Sequence, residues 1–268
     1  MKKVHTEAVL LVMMLTIFPL EVCRNVYAAE DSTIMLPQLI LPSIQSNIIS
    51  FSEPLKKQET QTYQNPPSNM ESTSDTEKPN PSWNMILVNE WNPLPKDFTV
   101  ALVSLPGGGQ VDYRIQGSLT QMIQDAAVQG VNLIVSSSYR SVDDQNTLYQ
   151  RKVHNYQNYG LTLEDAQEQA RQWVARPGRS EHHTGLAVDI TTLSYQVLDS
   201  GFAETAAAGW LLEHSADYGF ILRYPEGKTE ITGVCWEPWH FRYVGEEAAK
   251  QIMQDGICFE EYLEKSRK

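Results

Sequence analysis

The spacing of apolar and polar positions changes several times along the chain, and each change marks an element. Met85-Ile86-Leu87-Val88 and Thr99-Val100-Ala101-Leu102-Val103 flank Asn92-Pro93-Leu94-Pro95, which predicts two short strands joined by a proline-set turn. Leu119, Met122, Ile123 and Ala126 recur at helical spacing. Their helix is predicted to open on a capping box at Ser118-Leu119-Thr120-Gln121 and to end at Gly130. The apolar run 131–135 reads as a buried strand, and a helix carrying Gln145, Leu148 and Tyr149 is predicted from about Asp143. Thr162 with Asp165 forms a second capping pattern, for a helix reaching about Ala175 and closed by Pro177-Gly178. Leu186, Val188 and Ile190 alternate with Ala187 and Asp189, so a strand there sends its apolar set to one face and Asp189 to the other. Residues 203–218 read as a helix punctuated by Gly219, residues 220–224 as a strand, and residues 246–255 and 259–265 as terminal helices. Helices and strands do not alternate strictly and several turns are short. The predicted class is therefore α+β, with a central, mostly antiparallel sheet flanked by helices.

The N-terminal third follows a different pattern. Lys2 and Lys3 precede an uncharged, mostly apolar run at 8–20, and Val26-Tyr27-Ala28 offers a cleavage site before Ala29. The run falls short of the ~20 residues a membrane span needs. Residues 1–29 therefore read as a signal peptide in preference to a retained membrane anchor, and the chain as exported. Residues 30–82 are rich in Pro, Ser, Thr, Gln and Asn, the composition of a disordered linker, with a more apolar stretch at 36–49 that could dock or form a short helix. Composition turns globular at Trp83, so residues 83–268 form the predicted folded domain.

Charge and cysteine content narrow the function. The chain has 268 residues and a formal net charge of -12, which argues against nucleic acid as a partner. None of the 3 cysteines forms a CxxC pair, so a thiolate metal cluster is not expected. Cys235 and Cys258 could form a disulfide in an exported protein, or remain two buried thiols.

Two stretches carry the chemistry. Ser180-Glu181-His182-His183-Thr184-Gly185-Leu186-Ala187-Val188-Asp189 places an imidazole upstream of a carboxylate aimed off the apolar face of a strand. Glu237-Pro238-Trp239-His240 adds a second pair, since Pro238 favours a turn that can bring positions i and i+3 together. His182, Asp189 and His240 make a set of two imidazoles and one carboxylate, which suits a catalytic zinc with one position left for water, and Glu237 could serve beside it as a general base. Spacing alone does not choose between His182 and His183. His154 and His214 fall on predicted helices as surface or packing residues, and each site residue taken singly has a plainer reading: Asp189 paired with Arg140, Glu237 with Arg242.

Together these motifs resemble the zinc D-alanyl-D-alanine carboxypeptidases of the vancomycin-resistance type, within the lysostaphin, D-alanyl-D-alanine metallopeptidase and hedgehog fold group. Leu87-Val88-Asn89, Asn92-Pro93-Leu94-Pro95, Ser138-Tyr139-Arg140-Ser141 with Gln145, and 218–225 agree as well, so the likeness covers roughly 84–263. The resemblance implies a hedgehog-like fold with the metal at a sheet edge. It implies one Zn2+ on His182, Asp189 and His240, with Glu237 as catalytic base and Arg140 near the scissile carbonyl. It assigns Ser180 and Gln145 to the substrate's terminal carboxylate, and peptidoglycan stem peptides as substrate. An L,D-carboxypeptidase or endopeptidase would keep the same site, and a non-catalytic zinc module would have no need of Glu237. The sequence departs from the family pattern at Trp236, where an aromatic, usually tyrosine, is expected, and in the acidic run Val142-Asp143-Asp144.

Overall fold

The computed structural model describes residues 83–267. The predicted export segment, its membrane association and the linker at 30–82 lie outside the described residues. In chain order the elements are β1 (Leu102–Ser104), β2 (Gln110–Asp112), α1 (Gln116–Val128), β3 (Leu133–Ser137), α2 (Val142–Asn158), α3 (Leu163–Arg171) and β4 (Ala187–Thr192). There follow α4 (Ala206–His214), β5 (Phe220–Leu222), a single turn α5 (Thr229–Thr232), β6 (His240–Tyr243), α6 (Glu246–Asp255) and α7 (Phe259–Lys265). β1 and β2 form a hairpin, and the other strands form one antiparallel sheet in the order β3-β4-β6-β5.

Strand alternation divides the sheet's side chains between two environments. Val188 and Ile190 of β4, Phe241 of β6 and Phe220 of β5 share one face and pack with Leu119, Met122 and Ala126 of α1 and with Ala207, Trp210 and Leu211 of α4. Ile221, on the opposite face of β5, packs with Ala248, Ala249 and Ile252 of α6 and Phe259 of α7. A third cluster, Tyr149, Val153, Tyr156, Ala166 and Ala170, joins α2 to α3.

The helix-start signals meet different fates in the fold. Thr162 caps α3 by accepting from the Asp165 N–H at 3.2 Å, as expected. Ser141 caps α2 through the Asp144 N–H, and the acidic run at 142–144 is the first turn of that helix, where negative charge complements the helix dipole. The capping box at Ser118 is not used. Asp112 accepts from the Arg114 N–H and starts a 3-10 turn at Tyr113–Ile115 that runs straight into α1. The expected strand at 85–88 is also absent: a 3-10 turn at Trp83–Met85 is followed by irregular chain. Its carbonyls have another partner, for the Arg242 guanidinium donates to Asn84 O at 2.9 Å and Ile86 O at 2.8 Å. The helix expected at 203–218 is α4 with a 3-10 turn on either side. Cys258 is a free, buried thiol, so the disulfide considered for Cys235 and Cys258 does not form.

Candidate metal centre

Asp189 and His240 meet because β4 and β6 pair antiparallel with these two residues directly opposite each other. Opposed residues on one face bring their Cβ atoms to about 5 Å, within reach of a shared ion. These are the two inner strands, so the site lies where β6 begins at the end of the sheet's central pair, not along an outer strand. His240 enters its strand from the predicted turn, its N–H donating to Glu237 O at 3.1 Å.

His182 arrives from the preceding connection. Ser180 caps a 3-10 turn at Glu181–Thr184, which ends at Gly185 with φ 70°. That left-handed conformation favours glycine, and a Cβ there would come within 2.7 Å of the Asp112 backbone N. Gly185 therefore lets the chain reverse between His182 and Asp189. Across the sheet, the β3–β4 register slips between Val135 and Ser137, and the chain just beyond this bulge supplies Ser138 and Arg140 to the site.

The two adjacent histidines have different duties. His183 is held at both ring nitrogens, Nδ1 at 2.7 Å from Arg140 O and Nε2 accepting from the Gly178 N–H at 3.1 Å. Neither is left for a ligand. His182 uses only Nδ1, 2.7 Å from Ser138 O, which fixes the proton there and leaves Nε2 bare. Buried and without a hydrogen bond, His182 Nε2 lies 3.3 Å from Asp189 Oδ2. Asp189 Oδ1 also makes no hydrogen bond and stands 3.0 Å from His240 Nδ1. One ligand atom from each of His182, Asp189 and His240 lies within 4.8 Å of the others, and all three residues are buried. Two buried atoms without a hydrogen bond, His182 Nε2 and Asp189 Oδ1, converge with His240 Nδ1 and fit a divalent ion, and two imidazoles with one carboxylate are the donor set of a catalytic zinc site.

Glu237 and Arg140 border this centre. Glu237 Oε2 is 3.5 Å from His240 Nδ1, and the side chain is buried. The Arg140 guanidinium places Nη2 3.6 Å from Asp189 Oδ2 and donates from Nη1 to Gln145 Oε1 at 2.9 Å. Gln145, 1% exposed, donates in turn to Ala175 O at 2.7 Å. Ser180 Oγ accepts weakly from the His182 N–H at 3.4 Å. The sequence-read residues thus form one connected group. Glu237 is not paired with Arg242, which binds Glu181 instead.

The close packing of these charges shifts their titration. Burial pushes Glu237 up to about 8, with Asp189 adding to the shift and His240 and Arg140 opposing it. Burial alone would lower His240, but its carboxylate neighbours Asp189, Glu181 and Glu237 carry it up to about 9. Burial, together with the charge of Arg140, takes His182 down to about 4 despite Asp189. Burial opposes ionisation of Asp189, yet the two imidazoles hold it well below the usual carboxylate range.

Glu181 joins the site with no motif in the sequence to announce it. Its carboxylate is fully buried between Arg223 and Arg242, and these two guanidiniums keep it ionised against the cost of burial. Strand periodicity could have found part of this, since Arg242 stands two residues after His240 and so shares its face.

The chain is similar to known proteins over most of its described residues. The family model for VanY, D-alanyl-D-alanine carboxypeptidase, matches residues 109–246. A D-alanyl-D-alanine carboxypeptidase of Enterococcus faecalis is 43% identical over 206 residues, covering 76% of this chain and 74% of the relative. A crystal structure of a mutant of the vancomycin-resistance D,D-pentapeptidase VanY from a VanB-type resistance cassette, in complex with Zn(II), is 44% identical, with a TM-score of 0.63 over 68% of this chain and 99% of that one. A structure of VanYB in complex with D-alanine-D-alanine matches at 44% identity and a TM-score of 0.63, over 68% of this chain and 98% of that one.

Proposed function

Because this chain belongs to the VanY family of D-alanyl-D-alanine carboxypeptidases, we propose that it is an exported zinc carboxypeptidase that removes the C-terminal D-alanine from peptidoglycan stem peptides. The observation that carries the reading is the buried set His182, Asp189 and His240 with Glu237 beside it.

These three residues would hold the ion, which when bound supplies a Lewis acid for the scissile carbonyl and lowers the pKa of water to ~7. Glu237 is the general base. It takes the proton of the attacking water as the oxygen adds to the carbonyl carbon, and returns it to the departing D-alanine nitrogen as the C–N bond breaks. Burial favours a proton on Glu237 and a neighbouring dication favours its loss, so the group is placed to carry the proton in both directions. Arg140, anchored by Gln145 on one side and Asp189 on the other, offers a fixed donor to the oxygen on which negative charge develops.

Ser180 and Gln145 take the substrate's terminal carboxylate. Ser180 Oγ is used only as an acceptor within the chain, which leaves its O–H to donate. One Gln145 amide hydrogen goes to Ala175 O and the second remains. Neutral donors bind a carboxylate here without adding a full charge beside the metal. The lysine-led apolar run at 2–20 supports export, with membrane association if that segment is retained, and the polar composition of 30–82 supports a spacer that lets the enzyme reach the wall.

Purified protein incubated with tripeptide, tetrapeptide and pentapeptide stems, with and without a chelator, tests this reading by mass spectrometry. The expected result is loss of a single D-alanine from the pentapeptide alone, abolished by the chelator. Cleavage of the tetrapeptide in preference to the pentapeptide, or cleavage within the stem, would replace it with the L,D-carboxypeptidase or endopeptidase reading.

A further inference from the structure

Behind His240, on the side of the ring away from Asp189, lies the buried carboxylate of Glu181. Its Oε1 accepts from Arg223 Nε at 2.9 Å and from Arg242 Nη1 at 2.8 Å. Arg223 continues to Glu260 through Nη1 at 2.9 Å and Nη2 at 2.6 Å, so two guanidiniums and two carboxylates balance. Arg223 and Arg242 are both fully buried. The other carboxylate oxygen, Oε2, makes no hydrogen bond, and neither does Nε2 of His240. These two buried, unsatisfied atoms face each other at 3.9 Å. Each alone would cost free energy, whereas one is an acceptor and the other can carry a proton. The gap is too narrow for an intervening water, since two ~2.8 Å hydrogen bonds meeting at a water hold their outer atoms roughly 4.5–5.5 Å apart.

The tautomer follows from the ligand geometry. Nδ1 is the His240 nitrogen that faces Asp189 and Glu237, so Nδ1 must be bare to bind a metal and the proton must sit on Nε2. A ligating histidine holds its orientation by donating that second N–H to a fixed acceptor. His182 already has one in Ser138 O. We propose that Glu181 is the matching positioning residue for His240, accepting its Nε2–H and fixing the ring so that Nδ1 addresses the metal, with Arg223 and Arg242 clamping the carboxylate in place. Two consecutive residues of one 3-10 turn would then orient the metal site, His182 as a ligand and Glu181 as the support of a ligand on another strand. Arg242, on the same face of β6 as His240, ties that support back to the ligand's own strand. The inference rests on the zinc-site reading above.

Glu181→Gln tests it, because an amide NH2 or a reoriented amide replaces the fixed acceptor while volume is kept. Zinc affinity is measured by competition with a chromogenic chelator, and site geometry by the visible spectrum of the cobalt-substituted enzyme. A 10–100-fold weaker zinc affinity with an altered cobalt spectrum is expected. Glu260→Gln, which loosens Arg223 but leaves the Glu181 carboxylate and its Arg242 partner, should lower the melting temperature and weaken zinc binding by less than Glu181→Gln does. Wild-type zinc affinity and an unaltered cobalt spectrum in Glu181→Gln would overturn the inference and leave Glu181 as a counter-ion for the arginines. A wild-type chain that binds no zinc would overturn the site reading itself. If Glu181→Gln does not fold, histidine-selective 15N spectra of the zinc-loaded wild type decide. A downfield, slowly exchanging Nε2–H assigned to His240 supports the inference, and its absence overturns it.

Discussion

Replacing each of the adjacent histidines with alanine separates a metal ligand from a structural residue one position away. His183→Ala deletes a ring that is 3% exposed and removes its contacts with Arg140 O at 2.7 Å and Gly178 N at 3.1 Å. Leaving a buried hydrogen-bonding partner unsatisfied costs about 1–3 kcal/mol. Gly178 is half-exposed, so water recovers part of its loss, and the two together come to about 2–4 kcal/mol. For a domain of this size each kcal/mol lowers Tm by about 2–4 °C, so a drop of roughly 4–16 °C is expected. Zinc content of the folded protein should stay near one per chain. His182→Ala also strands a buried acceptor, Ser138 O at 2.7 Å, and should lower the Tm measured with chelator by a comparable amount, but its zinc content should fall to near zero. Thermal scans with chelator, together with elemental analysis of the folded fraction, read both quantities. Zinc lost from His183→Ala and kept by His182→Ala would refute the assignment of the two rings.

Other substitutions and conditions probe the remaining parts. Glu237→Ala should retain zinc and lose about 100- to 10,000-fold in kcat, the range for a positioned general acid–base group, as measured by D-alanine release. Arg140→Lys should lose most of the kcat lost by Arg140→Ala, because an ammonium cannot both hold Gln145 Oε1 and reach the reacting oxygen as the guanidinium fork does. The stability of the metal-free protein should fall as pH rises from about 6.5 to 9. His240, raised in the fold to about 9, contributes stability that is fully present below its unfolded pKa and lost as pH passes through the folded value. Glu237, raised to about 8, acts in the same direction, since the fold disfavours its ionised form. Zinc displaces the His240 proton, so the stabilisation by zinc should grow over the same interval, which paired Tm measurements with zinc or chelator would show.

Much of this was legible in the residues because local rules acted without competition. Period 2 put Asp189 opposite Val188 and Ile190, and the structure places it there. The terminal helices run over Glu246–Asp255 and Phe259–Lys265 as expected, the first with a glycine at either end. The pairing of Asp189 with His240 was not legible, because it depends on the register of two strands far apart in sequence. The absent strand at 85–88 failed for a similar reason: a buried arginine from β6 captured its carbonyls, and no propensity encodes that. Ser118 lost its capping role to Asp112, whose short side chain could close a turn earlier. Glu181 has no local signal of its role, since its partners Arg223, just after β5, and Arg242 of β6 arrive only in the folded chain.

The central claim is that His182, Asp189 and His240 hold one zinc on which D-alanine release depends. The most direct test strips the purified full chain with a chelator, removes the chelator and titrates zinc back while following D-alanine release from a pentapeptide stem. Activity should be absent without metal and rise linearly to a plateau at one zinc per chain. Full release of D-alanine by the stripped protein, or a titration indifferent to zinc, would contradict the account.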